Sequence, residues 1–374
     1  MKMNEILFCL LAVLNVCSVW AQPKTLKFGK NGDFKIVQFT DVHYKYDDQA
    51  NSQIALDRMN EVLDAEHPDC VVFTGDAVVS NESFKGWDIV LDVCIRRNIP
   101  YAVVFGNHDD EYDHTRQELY DYISKKKGNL MPVRIGDVAP DYVLTVKSST
   151  DKNKDAALLY CIDSHSYTQV KSVPGYDLIK FDQIAWYREQ SKTFTENNGG
   201  TPLPALAFFH IAIPEYKDAL MEDKNRMFGC KAEMVCCPTT NSGFFTSVKE
   251  CGDVMGMFVG HDHNNDYAVA YKEVLLAYGR YTGGNTVYND LASNGARVIV
   301  LREGERKFDT YIRIANNEIE LLFTIPPRIS NFTLFVIFPG GIKIKSIKSP
   351  ACTPRVHSSV KQNNNIFFMN TKKV

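Results

Sequence analysis

The chain has 374 residues, 45% apolar and 23% charged, the composition of an ordinary globular protein and enough length for one large α/β domain or two smaller ones. A formal net charge of -3 argues against a general nucleic-acid binder, which carries a basic excess. The charge is unevenly spread: from Leu321 onward there are eight Lys or Arg and no Asp or Glu. Every acidic residue therefore precedes that point.

Met1 to Ala21 place a lysine at position 2 ahead of an apolar run, Ile6 to Val16, and close on Val19-Trp20-Ala21. This reads as a secretory signal peptide whose apolar core is too short to span a bilayer comfortably. It predicts a secreted or periplasmic protein with no transmembrane segment once the leader is gone. Of the ten cysteines, Cys9 and Cys17 leave with the leader. The rest are too scattered to scaffold a domain of this size, and the pairs to examine are Cys236-Cys237 and Cys230 with Cys251. Cys70, Cys94 and Cys161 sit in apolar runs and read as buried thiols.

In chain order, Phe34 to Thr40 alternates and reads as a strand ending in Asp41-Val42-His43, with Asp41 and His43 on one side. Ser52 to Ala65 puts Ile54, Met59, Val62 and Leu63 on one helical face, and His67-Pro68 stops it. A strand at Cys70 to Thr74 ends in Gly75-Asp76. A helix through Trp87 to Arg97 leads to the strand Tyr101 to Phe105, which opens into Gly106-Asn107-His108-Asp109. Strand, polar loop and helix repeat three times, the pattern of a layered α/β domain. Thr115 to Lys127 reads as an exposed helix and Ala156 to Ile162 as a strand. Phe181 to Thr195 reads as an amphipathic helix with Trp186 toward the core. The strand Ala205 to Phe209 ends in His210; a helix through Ser242 to Cys251 and a strand Met255 to Val259 end in Gly260-His261-Asp262-His263. Residues 22 to 320 are expected to form the domain, and 321 to 374 a compositionally distinct basic tail.

The strand ends supply Asp41, His43, Asp76, Asn107, His108, His210, His261 and His263. Singly each has a bland reading: Gly-Asn and Gly-Asp are turn chemistry, and a lone histidine is more often a core residue bonded to a carbonyl. His261 and His263, two apart on an extended loop, are expected to point the same way. Together, carboxylate oxygens, imidazole nitrogens and one amide oxygen are too many for one four-coordinate zinc and suit two ions sharing a carboxylate. Such a pair, about 3.5 to 4 Å apart, activates a water and stabilises the oxygens of an in-line displacement at phosphorus. His67, His114 and His357 lack this context and read as surface or structural, and His165 as a loop residue. The loops between Asp109 and Ala156 and between Pro214 and Asn241 are expected to shape the pocket.

In order and spacing, Asp41-Val42-His43, Gly75-Asp76, Gly106-Asn107-His108-Asp109, His210 and Gly260-His261-Asp262-His263 resemble the five blocks of the calcineurin-like metallophosphoesterases. Phe208 to Tyr216 and Asn241 to Phe245 further resemble the purple-acid-phosphatase-like branch. The resemblance, covering about Phe34 to Arg313, implies a four-layer α/β/β/α sandwich of two mixed sheets flanked by helices, with the metals at the strand ends. It implies that Asp41, His43 and His263 bind one metal and Asn107, His210 and His261 the other, bridged by Asp76. It also implies that His108 is the catalytic group facing the substrate, with Asp109 orienting it. One position departs: purple acid phosphatases carry a metal-bound tyrosine three residues after the bridging aspartate, where this chain has Val79. The metals, iron, zinc or manganese, therefore need not form a ferric-phenolate centre. The expected function is phosphomonoester hydrolysis by attack of a metal-bound hydroxide on a phosphorylated small molecule. The alternatives are a phosphodiesterase for nucleotides or lipid headgroups, and a non-catalytic metal- or phosphate-binding protein.

Overall fold

The computed structural model describes residues 25–134, 141–222 and 227–325, with short backbone stretches of the tail at 333–334, 336–338 and 341–343. The leader expected at residues 1–21, His357 and most of the basic tail lie outside the described residues. In chain order the elements are β1 (Leu26–Lys27), β2 (Asp33–Phe39), α1 (Gln49–Glu66), β3 (Cys70–Thr74), α2 (Ser83–Ile95), β4 (Tyr101–Val104), α3 (Arg116–Ile123), β5 (Tyr142–Lys147), β6 (Asp155–Cys161) and α4 (Phe181–Asn197). There follow β7 (Ala205–Phe208), α5 (Glu215–Glu222), β8 (Met227–Phe228), α6 (Phe244–Cys251), β9 (Val254–Val259), β10 (Ala268–Tyr271), β11 (Val274–Tyr278), β12 (Gly295–Arg302), β13 (Phe308–Ile314) and β14 (Ile319–Ile325). The tail adds β15 (Thr333–Leu334), β16 (Val336–Phe338) and β17 (Gly341–Lys343).

Two mixed sheets stack face to face, one ordered β15-β14-β13-β12-β2-β3-β4 and the other β1-β5-β6-β7-β9-β11-β10-β8. In the first, β2, β3 and β4 run parallel and β12 to β14 extend the sheet antiparallel. In the second, β6, β7, β9 and β11 are parallel. The side-chain period of two in a strand divides the core. In β7, Leu206 and Phe208 face the space between the sheets, while Ala205 and Ala207 face the layer of α4, α5 and α6. Phe258 crosses the sheet interface to meet Phe308, ring centres 5.9 Å apart. Truncating such a ring costs about 3–5 kcal/mol. β14 pairs with β13, so the first sheet continues across residue 320, where the composition changes.

Local chemistry explains the element ends. Asp48 caps α1 by accepting from the Asn51 N–H, and His67 closes it in a left-handed conformation with its N–H on the Leu63 carbonyl, just ahead of Pro68. Thr115 and Glu118 form a capping box that starts α3. Two sequence-based placements shift. Ile54 is 38% exposed, with Ala55 and Leu56 taking its place in the core, and Tyr187 rather than Trp186 is the fully buried aromatic of α4.

Candidate metal centre

The carboxyl ends of β2, β3, β4, β7 and β9 open on the same edge of the double sheet, and the five loops that leave them meet there, as ligand-bearing loops do in parallel sheets. Two groups of ligand atoms form: Asp41, His43 and His263 in one, and Asp76, His210 and His261 in the other, each within 4.8 Å. All six residues are buried. Asp76 stands between the groups, its Oδ2 lying 3.1 Å from His210 Nε2 and 3.8 Å from His43 Nε2. His263 Nε2 is 3.6 Å from Asp41 Oδ1. The expected common direction of His261 and His263 is not seen. His261 takes φ 77°, breaking the two-residue alternation and sending the two imidazoles to different groups. Asp41, His43 and Asp76 also have positive φ, 52°, 47° and 50°, so the convergence of Asp41 and His43 comes from left-handed backbone rather than strand alternation. Each such residue costs about 1–3 kcal/mol, which the packed sheets offset. The glycines are required by close approach: a Cβ at Gly75 would strike His210, one at Gly106 the Asp76 carboxylate, and one at Gly260 Thr40.

The hydrogen bonds around the cluster hold ligands by their far atoms and leave the near atoms bare. His210 Nδ1 bonds the Thr74 carbonyl at 2.7 Å and His263 Nδ1 the Tyr288 carbonyl at 3.0 Å. A carbonyl only accepts, so these nitrogens carry protons, and Nε2 is the atom each ring turns to a carboxylate, that of Asp76 or Asp41. The Asp41 carboxylate accepts from Thr40 Oγ1 at 2.7 Å and from the His261 N–H at 3.0 Å. Of the nine buried side-chain atoms without a hydrogen-bond partner among the described residues, four belong to predicted ligands: Nε2 of His43, His210 and His261, and Oδ1 of Asn107. Orphaned buried donors and acceptors cost about 1–3 kcal/mol each, and here three of them are imidazole nitrogens of the two groups that hold the Asp41 and Asp76 carboxylates. The residues fit two cations.

Electrostatics agrees. Burial holds His43 and His261 well below the usual imidazole range and brings His263 down to about 4. Burial lifts the Asp41 carboxyl to about 7 against the pull of His210. Between Asp76 and His210 the mutual attraction overrides burial. The carboxyl is held well below its ordinary value, and the imidazole is raised to about 9. His43, His261 and His263 are thus neutral, the form a metal ligand needs, whereas His210 holds a proton against Asp76 that a bound ion would displace.

His108 sits at the edge of this cluster, its side chain 37% exposed. Its N–H donates to Asp76 Oδ1 at 2.8 Å, and its ring centre lies 6.0 Å from that of His43. The expected orientation of His108 by Asp109 is not what the structure shows. Asp109 is buried and accepts from four backbone N–H groups, those of Gly106, Asp76, Ala77 and Val78, at 2.7 to 3.2 Å. With both oxygens saturated it clamps the β3 and β4 loops together. The carboxylate on the His108 ring is Glu111, whose Oε2 is 2.5 Å from Nδ1. Arg116 supports the same loop from below, donating to the Gly106 carbonyl at 2.7 Å and to Asp163 at 3.0 Å.

Tyrosines that sequence reasoning did not single out line the cluster. Tyr176 meets the His261 ring edge-on at 4.4 Å, Tyr288 stacks on His263 at 4.5 Å, and Tyr281 lies 5.0 Å from His263. They come from the loops after β6 and β11, so the rim is not confined to the two loops expected to shape it. His114 bonds Ser83 and stacks on Phe84, and His165 bonds Gln183. Cys70, Cys94 and Cys161 are buried free thiols, and Cys236, Cys237 and Cys251 are also free. Cys230 is disulfide-bonded, so its expected pairing with Cys251 does not form. No helix among the described residues is long and apolar enough to cross a membrane.

Residues 34–265 match the family model for calcineurin-like phosphoesterases, and the chain belongs to this family. Two Arabidopsis thaliana proteins are similar over most of its length. Probable inactive purple acid phosphatase 29 is 33% identical over 312 residues, 75% of this chain and 80% of that protein. Probable inactive purple acid phosphatase 14 is 31% identical over 71% of this chain and 75% of that protein. Phosphatase DCR2 of Saccharomyces cerevisiae is 30% identical over 78% of this chain and 55% of its own length. Among solved structures, a dimetal phosphatase from Danio rerio shares the fold, with a TM-score of 0.54 over 79% of this chain and 99% of that one, at 13% identity.

Proposed function

We propose that the protein is a two-metal phosphoesterase that hydrolyses phosphomonoesters. The observation that carries this is the set of buried, unpartnered Nε2 atoms of His43, His210 and His261, grouped with the buried carboxylates of Asp41 and Asp76. Asp41, His43 and His263 would hold one ion and Asn107, His210 and His261 the other, with Asp76 shared between them. When bound, two such ions ionise a water near neutral pH and neutralise the charge building on phosphoryl oxygens.

The chain's own residues do the rest. Glu111 accepts from His108 Nδ1, so Nε2 of the imidazolium form would be the atom that bonds a phosphoryl oxygen or passes a proton to the leaving alkoxide. The backbone N–H of His108 spends itself on Asp76 Oδ1, tying the acid to the shared ligand. Asp109 keeps the two loops at fixed separation, so the imidazole and the bridge move as one body. No covalent phospho-enzyme is required.

The second reading is a protein that keeps the ions without turnover, favoured by the word inactive in the names of the two Arabidopsis relatives. That word describes those proteins; in this chain the two groups that could each hold an ion, with His108 at their edge, support turnover. Val79 is buried and offers no phenolate oxygen, which supports a pair of ions without an iron-phenolate bond from this position. Export is part of the proposal, on the strength of the apolar leader, and a disulfide at Cys230 supports an oxidising compartment. The test is metal analysis of the purified chain with a panel of aryl phosphate mono- and diesters. Faster monoester turnover that chelation abolishes supports the proposal, faster diester turnover replaces it with the diesterase reading, and bound ions without turnover of either ester favour the binding protein.

A further inference from the structure

Two sides of the metal centre carry tyrosine rings that the proposed hydrolysis does not use. Tyr167 and Tyr176 face each other across a hairpin-like loop, bridged as isolated antiparallel partners. The Thr168 N–H donates to the Gly175 carbonyl and the Asp177 N–H to the Ser166 carbonyl, both at 3.0 Å. Their rings stack with centres 5.6 Å apart and planes 23° from parallel. Tyr176 abuts His261, and the Tyr167 hydroxyl accepts from the Asn107 amide at 3.4 Å. Across the cluster, Tyr288 stacks on His263 with planes 30° apart, and its hydroxyl donates to Glu233 at 3.1 Å.

Supporting a ligand needs only one edge or one face of each ring. Tyr167 is nevertheless 45% exposed and Tyr288 54%, so apolar ring surface stays open to water beside the place where an ester would bind. Leaving such surface uncovered costs stability that burial elsewhere would have supplied. Each side chain also meets a predicted metal ligand directly, Tyr167 at Asn107 and Tyr288 at His263. The acidic groups nearby, Glu111 on His108 and Glu233 on Tyr288, disfavour an anionic leaving group.

We propose that these tyrosines select an aromatic leaving group, so that the substrate is a phosphate monoester of a phenol or of a nucleoside. This rests on the phosphoesterase reading, and the test separates the two. Phenylphosphonate and methylphosphonate cannot be hydrolysed, and each is titrated calorimetrically into the metal-loaded full chain. The expected result is about tenfold tighter binding of the phenyl compound. That preference is lost in Tyr167→Leu combined with Tyr288→Leu and kept in the matching phenylalanine variants. Equal affinities in the parent, or binding of neither compound, overturn the proposal. Should the leucine variants fail to fold, the parent's phenyl-to-methyl ratio decides alone. Turnover of phenyl phosphate, adenosine 5′-monophosphate and glycerol 2-phosphate then distinguishes phenol from nucleoside. If no ester is turned over, the phosphoesterase reading fails while the phosphonate ratio still judges this one.

Discussion

Strand β9 carries a buried carboxylate at its amino end and metal-type ligands at its carboxyl end, and the two ends are finished differently. At the amino end Asp253 accepts from the hydroxyls of Tyr160 and Tyr187 at 2.8 and 2.5 Å and from the Val254 N–H at 2.8 Å. Its neighbours are neutral donors that meet its needs. At the carboxyl end the imidazoles of His261 and His263 join the groups of Asp76 and Asp41, and the Nε2 of His261 bonds to nothing. The first arrangement is self-sufficient and serves the fold. The second is incomplete as protein alone, which marks it as a place for a cation.

Exchanging the roles of these carboxylates should give the largest effects. Asp76→Asn is expected to lower turnover of an aryl phosphate by at least about a thousandfold and to empty the centre of metal, with little loss of melting temperature. Asp253→Ala strands two buried phenol hydroxyls and should cost about 2–4 kcal/mol in denaturant unfolding, yet leave metal content per folded molecule unchanged. Equal behaviour of the two variants would erase the distinction. Next in size, His108→Ala should keep its metals and lose about a hundredfold to ten-thousandfold in rate. Metal loss there would mean that the imidazole is a ligand.

Asp109 and Glu111 repeat the contrast on a smaller scale. Asp109→Ala leaves four backbone donors unmet and should register first as lost stability, about 2–4 kcal/mol by denaturant titration. Glu111→Gln should leave stability alone and slow turnover about tenfold to a hundredfold. The smallest effect is a pH slope in the chelated protein. His210 rises from 6.5 unfolded to about 9 folded, so its contribution is complete below about 6.5 and is lost as pH climbs through 9. Metal-free protein should therefore melt at a lower temperature at pH 9.5 than at pH 7, whereas the metal-loaded protein, with His210 ligated and unable to take up a proton, should lack that decline.

What could be read from the sequence follows the same division. Strands buried on both faces announce themselves as apolar runs, so β2, β3, β4, β6, β7 and β9 and the ligands at their ends were readable one by one. Strands β10 to β13 were not assigned, although they are largely buried apolar runs in which β10 pairs with β11 and β12 with β13 as local antiparallel neighbours. The site's finer wiring was hidden by backbone conformation. Alternation cannot foresee the φ of 77° at His261, and adjacency favoured Asp109 for a bond that Glu111, three residues on from His108, makes instead. The tyrosine rim lies in loops with no periodicity to read.

Metal content of the purified full chain beside Asp76→Asn tests the central claim most directly. The account predicts two ions per parent molecule, removed together with aryl phosphatase activity by chelation and restored together, and less than one ion in the variant. A parent that turns over esters with no metal, or a variant that binds both ions as the parent does, would contradict it.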